Sequence, residues 1–248
     1  MQRMLVLARR ELAAYFFSPM AYVVTGLFLL AMSLLFLVDV NLPGLRHVAI
    51  IKPGAESSLD GIFTALAYGL VFVTPLLTMR LMAEEYYAGT IETLMTAPVT
   101  DAHVIGGKFL GAMGMYLALL ALTLPYFLLV AILGQPDLGR IALGYLGMLL
   151  LGATYIAVGL FASTLTRYQL VAGLIGIAIL ALFTVGIYLL AQQIPGRFEQ
   201  AIRQLNVVSY LDDFARGKFN TRGQVFFLSI TGFFLFLSVK VLESRRWR

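Results

Sequence analysis

Four of the thirteen acidic residues in this 248-residue chain, Glu84, Glu85, Glu92 and Asp101, fall between Arg80 and Lys108, a polar stretch set between two long apolar runs. Gly89 and Pro98 bracket a segment of it that reads as a short helix. Thr90 is placed to cap the free N–H groups, Glu92 sits in the first turn where the helix dipole favours an anion, and Pro98 stops the helix. A capped acidic helix between two membrane-crossing segments is a docking surface, not a catalytic centre; the plainer alternative is an ordinary interfacial loop.

The remaining chemistry-bearing residues exclude more than they suggest. The two histidines, His47 and His103, lie in polar connections with no His-x-x-x-His or paired-carboxylate arrangement around them, which argues against a metalloenzyme or an intramembrane protease. Gly106-Gly107-Lys108 has the ending of a phosphate loop. However, Ala102 stands where the first glycine belongs, and Phe109 follows the lysine in place of Ser or Thr. The chain therefore has no nucleotide site of its own, and any ATP energy must come from a partner. With no cysteine, disulfides and thiolate metal sites do not arise.

Composition sets the elements that must hold the acidic stretch. Apolar residues make up 60% and charged residues 12%, with mean hydropathy +0.88, against about 25% charged residues in soluble domains. This is an integral membrane protein. Its net charge of +5 comes from Lys and Arg at the ends of apolar runs, a membrane-flank pattern with no sign of nucleic-acid binding. Spans are expected near residues 19–38, 62–79, 109–133, 141–165, 170–191 and 225–242, within one domain over residues 1–248. Each is near the ~20 residues needed to cross the hydrocarbon. No ionisable residue falls in the middle of a span, which disfavours a proton- or ion-coupled secondary transporter. Ahead of the first span, residues 1–18 form a basic amphipathic helix suited to the interface plane, with Arg3, Arg9 and Arg10 on its polar face. Pro75 is expected to kink the second span.

Six spans put both termini on one side, and the basic ends choose the cytoplasm. Ten basic residues then lie inside and eight outside, so the bias rests on the two ends. The connection before the sixth span carries five of the outer ones. It reads as two short amphipathic helices: Pro195 starts one, in which Phe198, Ala201, Ile202 and Leu205 share a face, and the second holds Tyr210, Leu211 and Phe214 and ends at Gly217. Phe198, Ile202, Leu205 and Phe214 are expected to anchor the segment at the outer interface, leaving Arg197, Arg203 and Arg216 to meet lipid phosphates or an acidic partner. The competing expectation is that the arginines pair with Glu199, Asp212 and Asp213. Small residues recurring from Gly107 to Gly176 read as close helix packing.

The run Glu84-Glu85-x-x-x-Gly89-Thr90-Ile91-Glu92-x-Leu94-Met95-Thr96-Ala97-Pro98-Val99, followed by Gly107-Lys108-Phe109, resembles the cytoplasmic motif of ABC-2 type permeases. A later run, Ser209-x-x-x-x-Phe214-x-Arg216-Gly217-x-x-Asn220-Thr221-Arg222 before Phe226-Phe227-Leu228-Ser229, is similar to the segment before the last span in the gliding-motility (GldF-like) and nitrous-oxide-reductase-maturation (NosY-like) branch, though Leu211, Asp212 and Asp213 depart from its pattern. The resemblance implies an all-α fold of six transmembrane helices, with an N-terminal elbow helix, a cytoplasmic coupling helix and short outer re-entrant helices. It also implies a multi-pass protein of the bacterial inner membrane, working with an ABC ATPase subunit that binds the ATP. The permease would pair as a homodimer or with a second membrane subunit and contact membrane lipid and a periplasmic partner. On this reading Glu84, Glu85, Gly89, Thr90, Glu92, Leu94 and Pro98 couple to the ATPase, and Phe198, Ile202, Arg203, Phe214 and Arg216 form the outer-face segment. The alternative is a structural membrane anchor of a periplasmic complex, which uses the same spans without needing the acidic capped stretch.

Overall fold

A computed structural model describes residues 2–37, 59–90, 100–133, 138–194 and 205–246. Among these the chain is helical, with no strand. In chain order the helices are α1 (Gln2–Phe16), α2 (Pro19–Leu37), α3 (Leu59–Thr78), α4 (Arg80–Tyr87), α5 (Asp101–Ala121), α6 (Leu124–Leu133), α7 (Leu138–Leu165), α8 (Gln169–Ala181), α9 (Ile187–Gln193), α10 (Val207–Ala215) and α11 (Thr221–Arg246). A π-helical turn, Leu182–Gly186, joins α8 to α9. Five helical stretches are long and apolar enough to cross a membrane, and α1 with α2, bent by 70°, brings the number to six.

Several helices begin, break or run on where hydropathy alone does not place it. Hydropathy starts the third span at Phe109, but α5 starts at Asp101, because Thr100 accepts the His103 N–H and caps it. The same span breaks at Leu122–Thr123, since Pro125 has no N–H to continue the ladder. The Thr123 hydroxyl donates back to the Leu120 carbonyl at 2.7 Å and so satisfies the break internally. α3 runs through Pro75 and ends three residues later, at Thr78.

α7 is the mast of the bundle, packed against α3, α5, α8, α10 and α11. Its sequence carries glycines where neighbours come nearest. A Cβ at Gly144 would lie 2.2 Å from the Phe63 ring, one at Gly152 2.1 Å from Tyr116, and one at Gly159 2.1 Å from the Thr78 hydroxyl oxygen. Without a side chain at these points, the helices approach closely, and van der Waals packing drives association in lipid, where the hydrophobic effect cannot. Tyr116 uses that proximity to donate to the Met148 carbonyl at 2.7 Å. The outer faces of α2, α8, α9 and α11 instead expose leucine, valine and phenylalanine, as lipid-facing surfaces do.

Gly152→Ala is expected to push Tyr116 off α7 and cost about 1–3 kcal/mol by overpacking. Gly26→Ala in α2, where nothing lies within 4 Å of the added carbon, is expected to be neutral. Thermal unfolding of the two variants in one detergent checks the contrast.

Candidate functional site

One end of the bundle gathers α1, α4, the start of α5, and the ends of α7 and α11. Lys108 lies at its centre. Its position in the second turn of α5 makes it 1% exposed, and its ammonium donates to Glu11 of α1 at 3.0 Å and pairs with Glu85 of α4 at 2.8 Å. Arg10, largely exposed, reaches both carboxylates at 3.5 Å. Two cations and two anions thus neutralise one another. A buried lysine is tolerated only when paired in this way.

The chain reaches this cluster because α1 lies along α5. Gly107 and Gly111 let it come close: Cβ atoms there would meet Leu7 and Glu11 at 2.9 and 2.6 Å. Glu11, the only acid in an otherwise basic helix, is turned inward by the same contact, on the face that packs Leu7 and Leu12 against α5, while Arg9 and Arg10 stay exposed.

Between α3 and α4 the helix is interrupted at Met79, and the residue before α4 offers no capping side chain. Ser163 of α7 supplies the cap from across the interface. Fully buried, its hydroxyl donates to the Met79 carbonyl at 2.8 Å and accepts the N–H groups of Met82 and Ala83 at 3.0 Å each. The free backbone groups of a helix start are satisfied by another helix. Tyr15 of α1 and Arg80 at the start of α4 clamp the same joint. The Tyr15 hydroxyl donates to Leu77 at 2.9 Å, and Arg80 lies over the Tyr15 ring and donates to Ser18 at 2.6 Å. Burial pushes the Tyr15 phenol well above the usual range despite Arg80 beside it, so it stays protonated as a donor. Arg245 of α11 closes the far side, donating to the last carbonyl of α7 at 2.7 Å and lying over Tyr86 of α4.

α4 is therefore a short stem held on every side, leading directly into the acidic stretch. Glu85 lies in the charge cluster and Glu84 is exposed on the stem. Beyond the stem the chain turns through Gly89, whose φ of +71° is a left-handed conformation that suits glycine. Thr90 donates to the Glu85 carbonyl at 3.5 Å, folding the turn back on α4. Glu92, Leu94 and Pro98 lie outside the described residues.

At the opposite end α10 turns into the bundle. Phe214, expected at the outer lipid interface, is instead fully buried, against Gly147 of α7 and Phe227 of α11. The gap over Gly147 admits its ring, so it is a packing residue and not a membrane anchor. Gly217, at φ +76°, follows α10 as the expected stop. Asn206 starts the helix, accepting the Val208 N–H at 2.8 Å while donating to the carbonyl of Thr184, inside the π turn, at 3.2 Å. Arg216 pairs with Asp212 at 2.7 Å across one helical turn, the simpler of the two expectations. Phe198, Ile202 and Arg203 lie outside the described residues.

Sequence reading missed Lys108, Glu11, Ser163 and Arg80. A lone acid in a basic amphipathic helix and a lysine directly after two glycines were the available signals for the first two. A serine near the end of an apolar helix gives no such signal.

Lys108→Met is expected to strand two carboxylates and destabilise the protein by about 3–5 kcal/mol. The double variant Lys108→Met with Glu85→Met leaves Arg10 and Glu11 to balance and is expected to lose less than the single change. Thermal unfolding of both in detergent measures the difference, and equal losses would show that the pair is not coupled.

The sequence matches the family described as ABC-2 family transporter protein over residues 6–238. No curated protein gives a significant match. The match takes in α2 to α10 entire, most of α1 and all but the last turns of α11. The chain therefore belongs to the ABC-2 transporter family and is a multi-pass transmembrane permease.

Proposed function

We propose that this chain is the membrane subunit of an ATP-driven transporter in which a separate ABC ATPase docks on residues 84–98 and moves the bundle through α4. The observation that carries the reading is the clamped stem. α4 is tied to α1 and α5 by Lys108, to α7 by Ser163 and to α11 by Arg245. A push delivered to the stretch beyond Gly89 is thereby shared among five helices and does not bend a loop. Hydrolysis on the partner supplies the energy, and the permease turns it into export or into work on an outer-side partner.

Within the family we place the chain in the gliding-motility and NosY-like branch, on the resemblance of the segment from Ser209 to Ser229. The permease acts as a dimer or beside a second membrane subunit, and the lipid-facing apolar sides of α2, α8 and α9 are the surfaces free for that pairing. Both termini and the acidic stretch face the cytoplasm in the bacterial inner membrane. The supporting geometry is that α1, the end of α11, α4 and the start of α5 share one end of the bundle; the basic ends select the side.

Gly89→Val adds a β-branched side chain at a left-handed position, where any Cβ costs about 1–2 kcal/mol. Combined with Glu92→Lys it is expected to abolish co-purification of the ATPase or its coupled hydrolysis, while the spans still insert. A double variant retaining both activities overturns the docking assignment.

Orientation is tested separately. Single cysteines placed in this cysteine-free chain at Ser57 and Thr221 are expected to react with an impermeant thiol reagent added outside, and one at Thr100 is expected to stay unlabelled. Outside labelling of Thr100 reverses the topology.

A further inference from the structure

The 70° bend between α1 and α2 leaves an open crevice against the end of α3, lined by Tyr15, Met20, Ala21, Val24, Leu77 and Arg80. Its floor is apolar: Ala21, Val24 and Leu77 are each less than a tenth exposed, while Met20, at the rim, is 44% exposed. At one end stands Arg80. Two of its nitrogens donate to neutral oxygens, Ser18 Oγ at 2.6 Å and the Ala14 carbonyl at 3.4 Å, and its plane lies 4.5 Å from the Tyr15 ring centre. Among the described residues no carboxylate comes within ion-pairing distance of it. Glu11 and Glu85 are committed to Lys108, and Glu84, one turn along α4, is exposed to solvent.

We propose that this crook binds one anionic phospholipid from the leaflet in which α1 lies, with its headgroup phosphate on Arg80 and the first part of an acyl chain over Ala21, Val24 and Leu77. A guanidinium carries five N–H donors in a planar fork that matches phosphate oxygens two at a time. Here its charge is left uncompensated at the membrane border, and Tyr15 stays protonated and supplies no countercharge. The anion that a leaflet offers at that depth is a lipid phosphate. The apolar floor begins where the guanidinium ends, as a glycerophospholipid requires and a free anion does not. The opening faces the lipid side, because Tyr22, Val23 and Leu27, on the neighbouring surface of α2, are all exposed. A lipid seated there bridges α1, α2 and the joint below α3, the same joint that Ser163 caps from the other side. The inference does not depend on the ATPase reading, since it concerns a different face of the joint.

Native mass spectrometry of the full-length protein, taken from an equal mixture of phosphatidylglycerol and phosphatidylcholine, tests the proposal. One phosphatidylglycerol per chain is expected to be retained in preference to phosphatidylcholine. Arg80→Gln is expected to lower that preference about fivefold, the equivalent of one guanidinium contact near an anionic surface. Ala21→Leu fills the floor without touching the charge and is expected to lower total lipid retention by a similar factor; it decides the matter if Arg80→Gln fails to fold. Equal retention of the two lipids, unchanged retention in Ala21→Leu, or displacement of the lipid by inorganic phosphate alone would each overturn the proposal.

Discussion

The buried ammonium of Lys108 sets the terms for one end of this protein. An isolated charge taken out of water is costly enough that it must be met by an opposite charge or not form. Glu11 and Glu85 meet it from two different helices. That requirement fixes how α1 lies on α5, and with it the angle at which the chain enters the first span. It also fixes where α4 stands and therefore where the acidic stretch begins. Arg10 completes the balance at the surface, where screening by water makes its own contribution small.

Away from the cluster the same problem recurs in neutral form. In lipid every broken helical hydrogen bond must be repaired inside the protein, and at three breaks among the described residues a side chain placed nearby makes the repair. Ser163 of α7 caps α4, Thr123 closes the break between α5 and α6, and Asn206 takes up the Thr184 carbonyl in the π turn. Two of the three repairs come from a different helix, so the irregular points are also fastening points. The helices can be irregular where they meet and still be satisfied.

Glycine decides which helices meet. The glycines of α7 admit Phe63, Phe214, Tyr116 and Thr78 along its length, and those of α5 admit α1. The result is a rigid mast with a clamped stem at one end and a re-entrant helix at the other.

The sequence by itself determined the class, the apolar helical spans, the amphipathic first helix and the stop at Gly217. Each of these follows from local properties: hydropathy over about 20 residues, a 3.6-residue period, or one residue's backbone freedom. The family, too, was legible in a contiguous run of motif residues. The tertiary structure alone decided that Lys108 is the centre of an ion cluster, that Phe214 points into the bundle and not into lipid, and that Ser163 holds a joint 80 residues away from it. The physical reason is common to all three. Burial, pairing and capping depend on which helices are neighbours, and a charge, a ring or a hydroxyl carries no mark in the sequence of the partner it will meet.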